Sequence, residues 1–288
     1  MQTHTAWELI VIEDGSAGET EEIVRSFAKT VTQRVVYFRH ETNQGLPATR
    51  NTGIDQAVGE WVAFLDADDL WKPMHLEDLV RVGAETRAAV VCAASTAFDS
   101  DTGRILHDVP QREHELAAFP VSLFTGDLII LPSSAMVRRP ALLKAGSVNV
   151  KYRVCNDTEL WFRLAAAGNT FGFTRDHTCL YRRHGGAMTC QHTASLLELA
   201  RLYDEYADWS AIPRAIRKPK AASLYRYAGR TLLKQNPREA RALLMKSLRR
   251  DWLRLSTWYY WACSLVSARP KGRAEGGSRA FVAQQSKG

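Results

Sequence analysis

From Glu8 to Ile12 a short apolar run is closed by Asp14, Gly15 and Ser16, and apolar positions then recur at helical spacing from Glu19 to Lys29. This order reads as strand, loop and helix, with Thr20 or Ser16 placed to cap the helix. Val35 to Phe38 is a second β-rich run; Asn43, Gln44 and Gly45 break it before a helical stretch from Leu46 to Ala57. The next strand, Trp61 to Leu65, ends in Asp66, Ala67, Asp68 and Asp69, and an amphipathic helix from Met74 to Thr86 leads to the apolar strand Ala89 to Ala94. Strands alternating with helices predict an α/β fold with a parallel sheet.

Gly103 to Pro120 is polar and irregular and reads as a long loop over the site; Ser134 to Arg138 resumes a strand pattern. A helix is expected from Asn156 to Ala167 with Gly168 as its C-terminal cap, then strand-like runs around Phe171 and Leu180. Beyond these the spacing turns wholly helical: Ser195 to Tyr206, Ala221 to Lys234, Pro237 to Arg249 and Leu253 to Val266. The expected organisation is a catalytic domain over 1–190, a helical appendage over 191–267 and a disordered tail over 268–288. Ala221 to Arg250 resembles a single tetratricopeptide-like hairpin, which cannot bury its apolar face alone and needs a neighbour to pack on.

At 288 residues and 45% hydrophobic composition the chain can build a large core, which excludes wholesale disorder. The net charge of +7 is unevenly spread, with acidic residues gathered before residue 160 and Lys and Arg crowded between Arg214 and Arg273. Five cysteines, Cys92, Cys155, Cys179, Cys190 and Cys263, include no CxxC pair and no zinc-ligand spacing, so reduced thiols in a cytoplasmic protein are expected. No stretch reaches the length of a membrane-spanning helix. Trp252 to Val266 comes nearest, but Arg254 and polar residues within it favour a buried helix, with peripheral contact to an anionic membrane face as the alternative.

The chemistry gathers where open sheets bind ligands, at the carboxyl ends of the strands. Asp14 and the cluster Asp66, Asp68 and Asp69 sit there. Three carboxylates at one strand end repel one another unless a cation or a donor satisfies them; the alternative use is capping of the following helix.

Taken together, Trp7 to Ser16, Asn43, Gly45, Arg50, Asn51, Gly53 and the Asp66 to Asp69 cluster resemble the family 2 glycosyltransferases of the GT-A fold, over roughly residues 1 to 190. The resemblance implies a nucleotide-diphospho-sugar transferase fold, Rossmann-like with a mainly parallel sheet flanked by helices, and a helical C-terminal appendage. It also implies a donor nucleotide held by Glu13, Asp14, Ser16, Arg50 and Asp66, with Glu13 standing where the family has aspartate. Asp66 and Asp68 match the DXD motif, which makes Asp68 the expected ligand of a divalent metal, Mn2+ or Mg2+, with Asp69 capping the next helix. Asp157, followed by Glu159, resembles the family's general base; Asn156 replaces a common Glu there, which removes one negative neighbour and lowers the expected proton affinity of the base. His184 matches a segment that closes over the diphosphate in relatives.

The resemblance implies inverting transfer of a sugar, from a UDP-sugar, to a hydroxyl of a glycan or lipid-linked acceptor in cell-surface polysaccharide assembly, with no nucleic-acid partner. Relatives start with an apolar strand and helix upstream of the segment matching Gln2 and Thr3, so the family pattern is expected to be incomplete at its N-terminus. Two other readings come from different classes. One is a catalytically silent binding module in a polysaccharide assembly complex; the other is a nucleotidyltransferase, for which the sequence lacks a Gly- and Lys-rich phosphate loop.

Overall fold

A computed structural model describes residues 1–16, 18–183 and 192–266. The first strand, β1 (Leu9–Asp14), is followed by α1 (Thr20–Ala28), β2 (Val35–His40), α2 (Leu46–Gln56) and β3 (Trp61–Ala63). Next come β4 (Leu70–Trp71), α3 (His75–Thr86), β5 (Val90–Asp99), β6 (Ile105–Val109), α4 (Glu113–Ala117) and α5 (Val121–Thr125). A 3-10 turn at Pro132–Ser134 leads to β7 (Ala135–Arg138), α6 (Arg139–Lys144), α7 (Asn156–Ala166) and β8 (Phe171–Arg183). Four helices complete the described chain: α8 (His192–Glu205), α9 (Arg214–Leu232), α10 (Pro237–Arg250) and α11 (Leu255–Val266).

The α/β class holds, but the sheet is mixed rather than mainly parallel. β1 and β2 form a parallel pair of their own, and the larger sheet runs β3-β7-β5-β8-β4 with β6 paired to β5. Within it only β5 and β8 are parallel; β3–β7, β5–β7, β4–β8 and β5–β6 are antiparallel. For β5 and β6 the cause is connection length: the turn at residues 100–104 between them is too short for a crossover, and so short a link can join only antiparallel neighbours. The polar stretch from Gly103 to Pro120, expected as loop, is thus largely structured, as the edge strand β6 and the short helix α4.

β5 is the centre of the molecule, with β8 along one edge and β7 then β6 along the other, and Val90 to Phe98 are all buried. Such two-sided burial is what the unbroken apolar run Val90 to Ala94 requires. On one face α3 comes close enough that a Cβ on Gly83 would lie 2.8 Å from the Trp61 ring. The opposite core packs Phe124 and Phe162, stacked with centroids 5.5 Å apart, against Tyr203 and Trp209. By contrast, Leu9 to Ile12 of β1 are all only half-buried and belong to none of the main apolar clusters.

The helical region joins that core: Leu202, Tyr203, Ile212 and Ala221 are buried in the same cluster as Phe124 and Phe162. α9 begins at Arg214, earlier than the spacing predicts, and carries Pro219 inside it. It packs on α10 so tightly that a Cβ on Gly229 would meet Leu244 at 2.7 Å. The neighbour this hairpin needs is α8, whose Ala200 shares a cluster with Tyr225, Ala228, Ala240 and Leu243. The expected tail, 268–288, lies outside the described residues.

Candidate active site

The loop after β1 is fixed by a glycine and by two occupied carboxylates. Gly15 has φ +72°, and a Cβ there would lie 2.3 Å from the amide nitrogen of Asn43, so only glycine lets this loop meet the one after β2. Asp14 fastens the contact: its Oδ1 accepts from His40 Nδ1 at 2.7 Å and the Gln44 amide at 2.9 Å, and its Oδ2 accepts from the Gly45 amide at 2.8 Å. These bonds outweigh burial and hold the Asp14 carboxyl below its ordinary value. Glu13 accepts from Ser16 Oγ at 2.6 Å and from the Tyr37 hydroxyl, and these two bonds, Ser16 first, depress its carboxyl as well. Ser16 and Thr20 both point at Glu13 and α1 has no side-chain cap, contrary to the capping role expected for one of them.

Gly45 starts α2 at φ +89°, and that helix delivers Arg50 and Asn51 to the centre of the site. Arg50 Nη2 donates to Asp66 Oδ1 at 2.7 Å and its Nη1 to Asn156 Oδ1 at 2.6 Å. One guanidinium thus ties the end of β3 to the start of α7, segments 90 residues apart in sequence. Asn51 adds a two-way clip, donating to Val148 O at 2.9 Å and accepting from the Val148 amide at 2.8 Å.

Asp157, in the first turn of α7, faces this assembly. Burial is the largest influence on its carboxyl and raises it; the charge of Arg50 and the Thr158 amide pull the other way, and Asp66 adds to the rise. The net direction is upward, opposite to the lowering expected from Asn156, because desolvation outweighs the loss of one negative neighbour. Asp157 is only half-buried, and a carboxylate with raised proton affinity can accept a proton from an acceptor hydroxyl. Glu159, on the same helix, is buried and paired with Arg163 at 2.9 Å; Arg163 in turn donates to Ala145 O and, at 2.7 Å, to Ser147 O. Its observed contacts are those of a strut for α7.

Asp66, Asp68 and Asp69 end up in three different settings. Asp66 is half-buried against Arg50, with its amide donating to Ser133 Oγ at 3.0 Å. Asp69 is buried, accepts from the Arg182 amide at 2.9 Å and from Ser133, and precedes β4 rather than a helix, so the cap expected of it is not formed; α3 starts later, after Met74. Burial, then the charges of Asp68 and Asp66, raise its carboxyl above the ordinary value. Asp68 is half-exposed, and its carbonyl accepts from Arg182 Nε at 2.5 Å. His184 lies outside the described residues.

Among the described residues no group of three His, Cys, Asp or Glu side chains is arranged to hold a metal by itself. The mutual repulsion of the Asp66 to Asp69 carboxylates nonetheless fits a cation that takes one or two protein oxygens and draws its remaining ligands from a bound phosphate.

Sequence reasoning missed Tyr37, His40, Ser133 and Glu198. Glu198 of α8 accepts the amides of Arg153, Val154 and Cys155 at 3.1, 2.7 and 3.1 Å, just ahead of α7. None of the four sits in a recognisable local pattern, and only the packing of distant segments brings them to the site.

Residues 1–145 match the family model described as Glycosyl transferase family 2. EpsH of Bacillus subtilis, named as a glycosyltransferase, is 34% identical over 125 residues, which are 41% of this chain and 36% of that protein. The uncharacterized glycosyltransferase alr2836 of Nostoc is 29% identical over 190 residues, 64% of this chain and 58% of that protein. The matched parts thus span less than two thirds of either relative. The crystal structure of Staphylococcus aureus TarS 1–349 in complex with UDP-GlcNAc aligns with a TM-score of 0.69 and 18% identity over 92% of this chain and 82% of that one. At such identity the likeness is one of fold: a mixed α/β GT-A arrangement with a helical C-terminal part.

Proposed function

The chain belongs to glycosyl transferase family 2, and from that premise we propose that it moves a sugar from a nucleotide-diphosphate donor, a UDP-sugar, to a hydroxyl of a glycan or lipid-linked acceptor with inversion. The observation that carries this reading is Arg50, whose two hydrogen bonds bring the donor-side carboxylate Asp66 and the base-bearing start of α7 side by side. A transferase needs these two functions within one sugar's reach, and a binding module has no need of a carboxylate with raised proton affinity there.

In the proposed reaction the acceptor hydroxyl gives its proton to Asp157, its oxygen bonds to the anomeric carbon, and the bond from that carbon to the diphosphate oxygen breaks on the opposite face. The nucleoside diphosphate leaves with the electron pair, and a single displacement inverts the anomeric centre. Glu13, Asp14 and Ser16 shape the loop that takes the uridine end, while Arg50 and Asp66 stand toward the ribose and phosphates. Asp68, with Asp66, would hold Mn2+ or Mg2+ together with the donor diphosphate, which supplies neutralisation of the charge on the departing group.

The uridine assignment is supported by the UDP-GlcNAc and UDP complexes of TarS, a protein of like fold. A role in cell-surface polysaccharide assembly is supported by TuaG of Bacillus subtilis, named for teichuronic acid biosynthesis, which is 38% identical over 76 residues. Calorimetric titration of UDP with and without Mn2+, on the wild type and Asp68→Ala, tests the site. Metal-dependent binding weakened at least about tenfold in the variant is expected; binding that ignores both metal and Asp68 removes the proposed donor site.

A further inference from the structure

The last helix is built inside out. Thr257 and Ser264 of α11 are fully buried, whereas Leu255, Trp258 and Tyr259 on the opposite face are exposed, Leu255 by 82% and Tyr259 by 65%. The turn that leads into it adds Trp252 and Leu253, each 70% exposed, and Trp258 Nε1 donates to Trp252 O at 2.9 Å, which binds turn and helix into one rigid apolar ridge. The sequence favoured a buried helix here because Arg254 and several polar residues interrupt the apolar run. The structure turns the small hydroxyls inward, where Arg241 Nη2 donates to the Ser264 carbonyl at 2.8 Å, and leaves Leu255, Trp258, Tyr259 and Leu265 exposed. A contiguous aromatic and aliphatic ridge of this kind marks an interaction surface.

The ridge belongs to a strongly basic stretch of the chain. Between Arg214 and Val266 the chain carries thirteen Lys or Arg residues against only Glu239 and Asp251. Beside α11 a groove of about 300 Å³ is lined by Arg226, Tyr227, Arg230 and Tyr260, with Arg230 lying 5.4 Å from the Tyr227 ring centroid and 5.9 Å from that of Tyr260. Arg254 lies near enough to Arg226 for their charges to repel, with Asp251 as an opposing acidic neighbour of Arg226. Held together like this, the guanidiniums fit a surface dense in phosphate oxygens.

We propose that the Trp252–Leu255 turn, the outer face of α11 and the Arg226–Arg230 groove form a docking surface for an anionic lipid bilayer. Trp and Tyr rings with exposed leucines occupy the interface, and the surrounding arginines meet lipid phosphates while their stems lie along the apolar zone. No helix among the described residues is long and apolar enough to cross a membrane, so this contact is a peripheral one. It stands independently of the donor chemistry proposed above, because α11 carries none of that site's residues.

The test is cosedimentation of the full chain with phosphatidylcholine vesicles with and without phosphatidylglycerol, at low and high salt. Expected is binding to the anionic vesicles that weakens with salt, falls about fivefold in Arg254→Gln, as for one basic residue near a charged surface, and is abolished in Trp252→Ser/Leu253→Ser. Both variants alter exposed side chains, and unchanged thermal melting confirms that they fold. Equal binding by wild type and Trp252→Ser/Leu253→Ser, or no vesicle binding, overturns the proposal. So does a wild-type dimer that fails to bind vesicles and becomes monomeric in that double variant, since the ridge would then be an interface between copies.

Discussion

Replacing Glu198 tests whether the helical region holds the proposed general base in place. The Glu198 carboxylate accepts three successive backbone amides, of Arg153, Val154 and Cys155, at 2.7 to 3.1 Å. These are donors at the N-terminal end of α7, where an acceptor with negative charge is most favourable. Hydrogen bonds to a charged group contribute about 1.5–3 kcal/mol each when single, but three that share two oxygens do not add fully, so Glu198→Ala is expected to cost about 3 kcal/mol. For a chain of this size that lowers the melting temperature by about 6–12 °C. Glu198→Gln keeps one acceptor oxygen and should lose about half as much.

The functional consequence follows from position, since Asp157 is two residues beyond Cys155. A loosened start to α7 misplaces the base, and misplacement of a reacting group by about 1 Å costs up to about a hundredfold in rate. The expected result for Glu198→Ala is therefore kcat reduced about tenfold to a hundredfold, with UDP affinity within about threefold of wild type, because Glu13, Arg50 and Asp66 do not touch Glu198. Differential scanning fluorimetry, UDP calorimetry and a sugar-transfer assay read the three quantities. A Glu198→Ala protein that melts within about 1 °C of wild type would refute the reasoning, since it would mean that the three amides find water at no cost.

Two further substitutions test the site and its support. Asp157→Asn should abolish transfer by about a hundredfold or more while leaving UDP binding, and in wild type the acid limb of the kcat profile should lie above the ordinary carboxylate range because burial raises this carboxyl. The sign for stability follows from the same shift: the contribution of Asp157 is fully present below its unfolded value and is lost as pH rises through the higher folded value, so the Asn variant should melt no lower, and somewhat higher, than wild type at neutral pH. Arg163→Met should destabilise by about 3–5 kcal/mol, seen in urea or thermal melts, because it strands the buried Glu159 carboxylate and releases the carbonyls of Ala145 and Ser147.

The sequence alone determined the order of the longer strands and helices, though not β4, β6 or the short helices α4 to α6, together with the placing of Asp66, Asp68 and Asp69 at a strand end and of Asp157 at a helix start, and the family. Each of these is written in a local period or a short motif, and a family model matches residues 1–145 on the same ground. Local signals could not distinguish a parallel from an antiparallel partner, so the mixed sheet emerged only from how β6 and β7 turn back beside β5. Nor could they show how a polar side chain is used. Asp14 binds two backbone amides, Asp69 meets the Arg182 amide instead of capping a helix, and Glu159 faces Arg163. Arg50 joins β3 to α7, and Glu198 reaches α7 from a helix that spacing had assigned to an appendage. In α11, where interrupting polar residues favoured a buried helix, several of the large apolar side chains are turned outward, since which face of a helix is covered depends on what packs against it, and that partner is set by the tertiary fold.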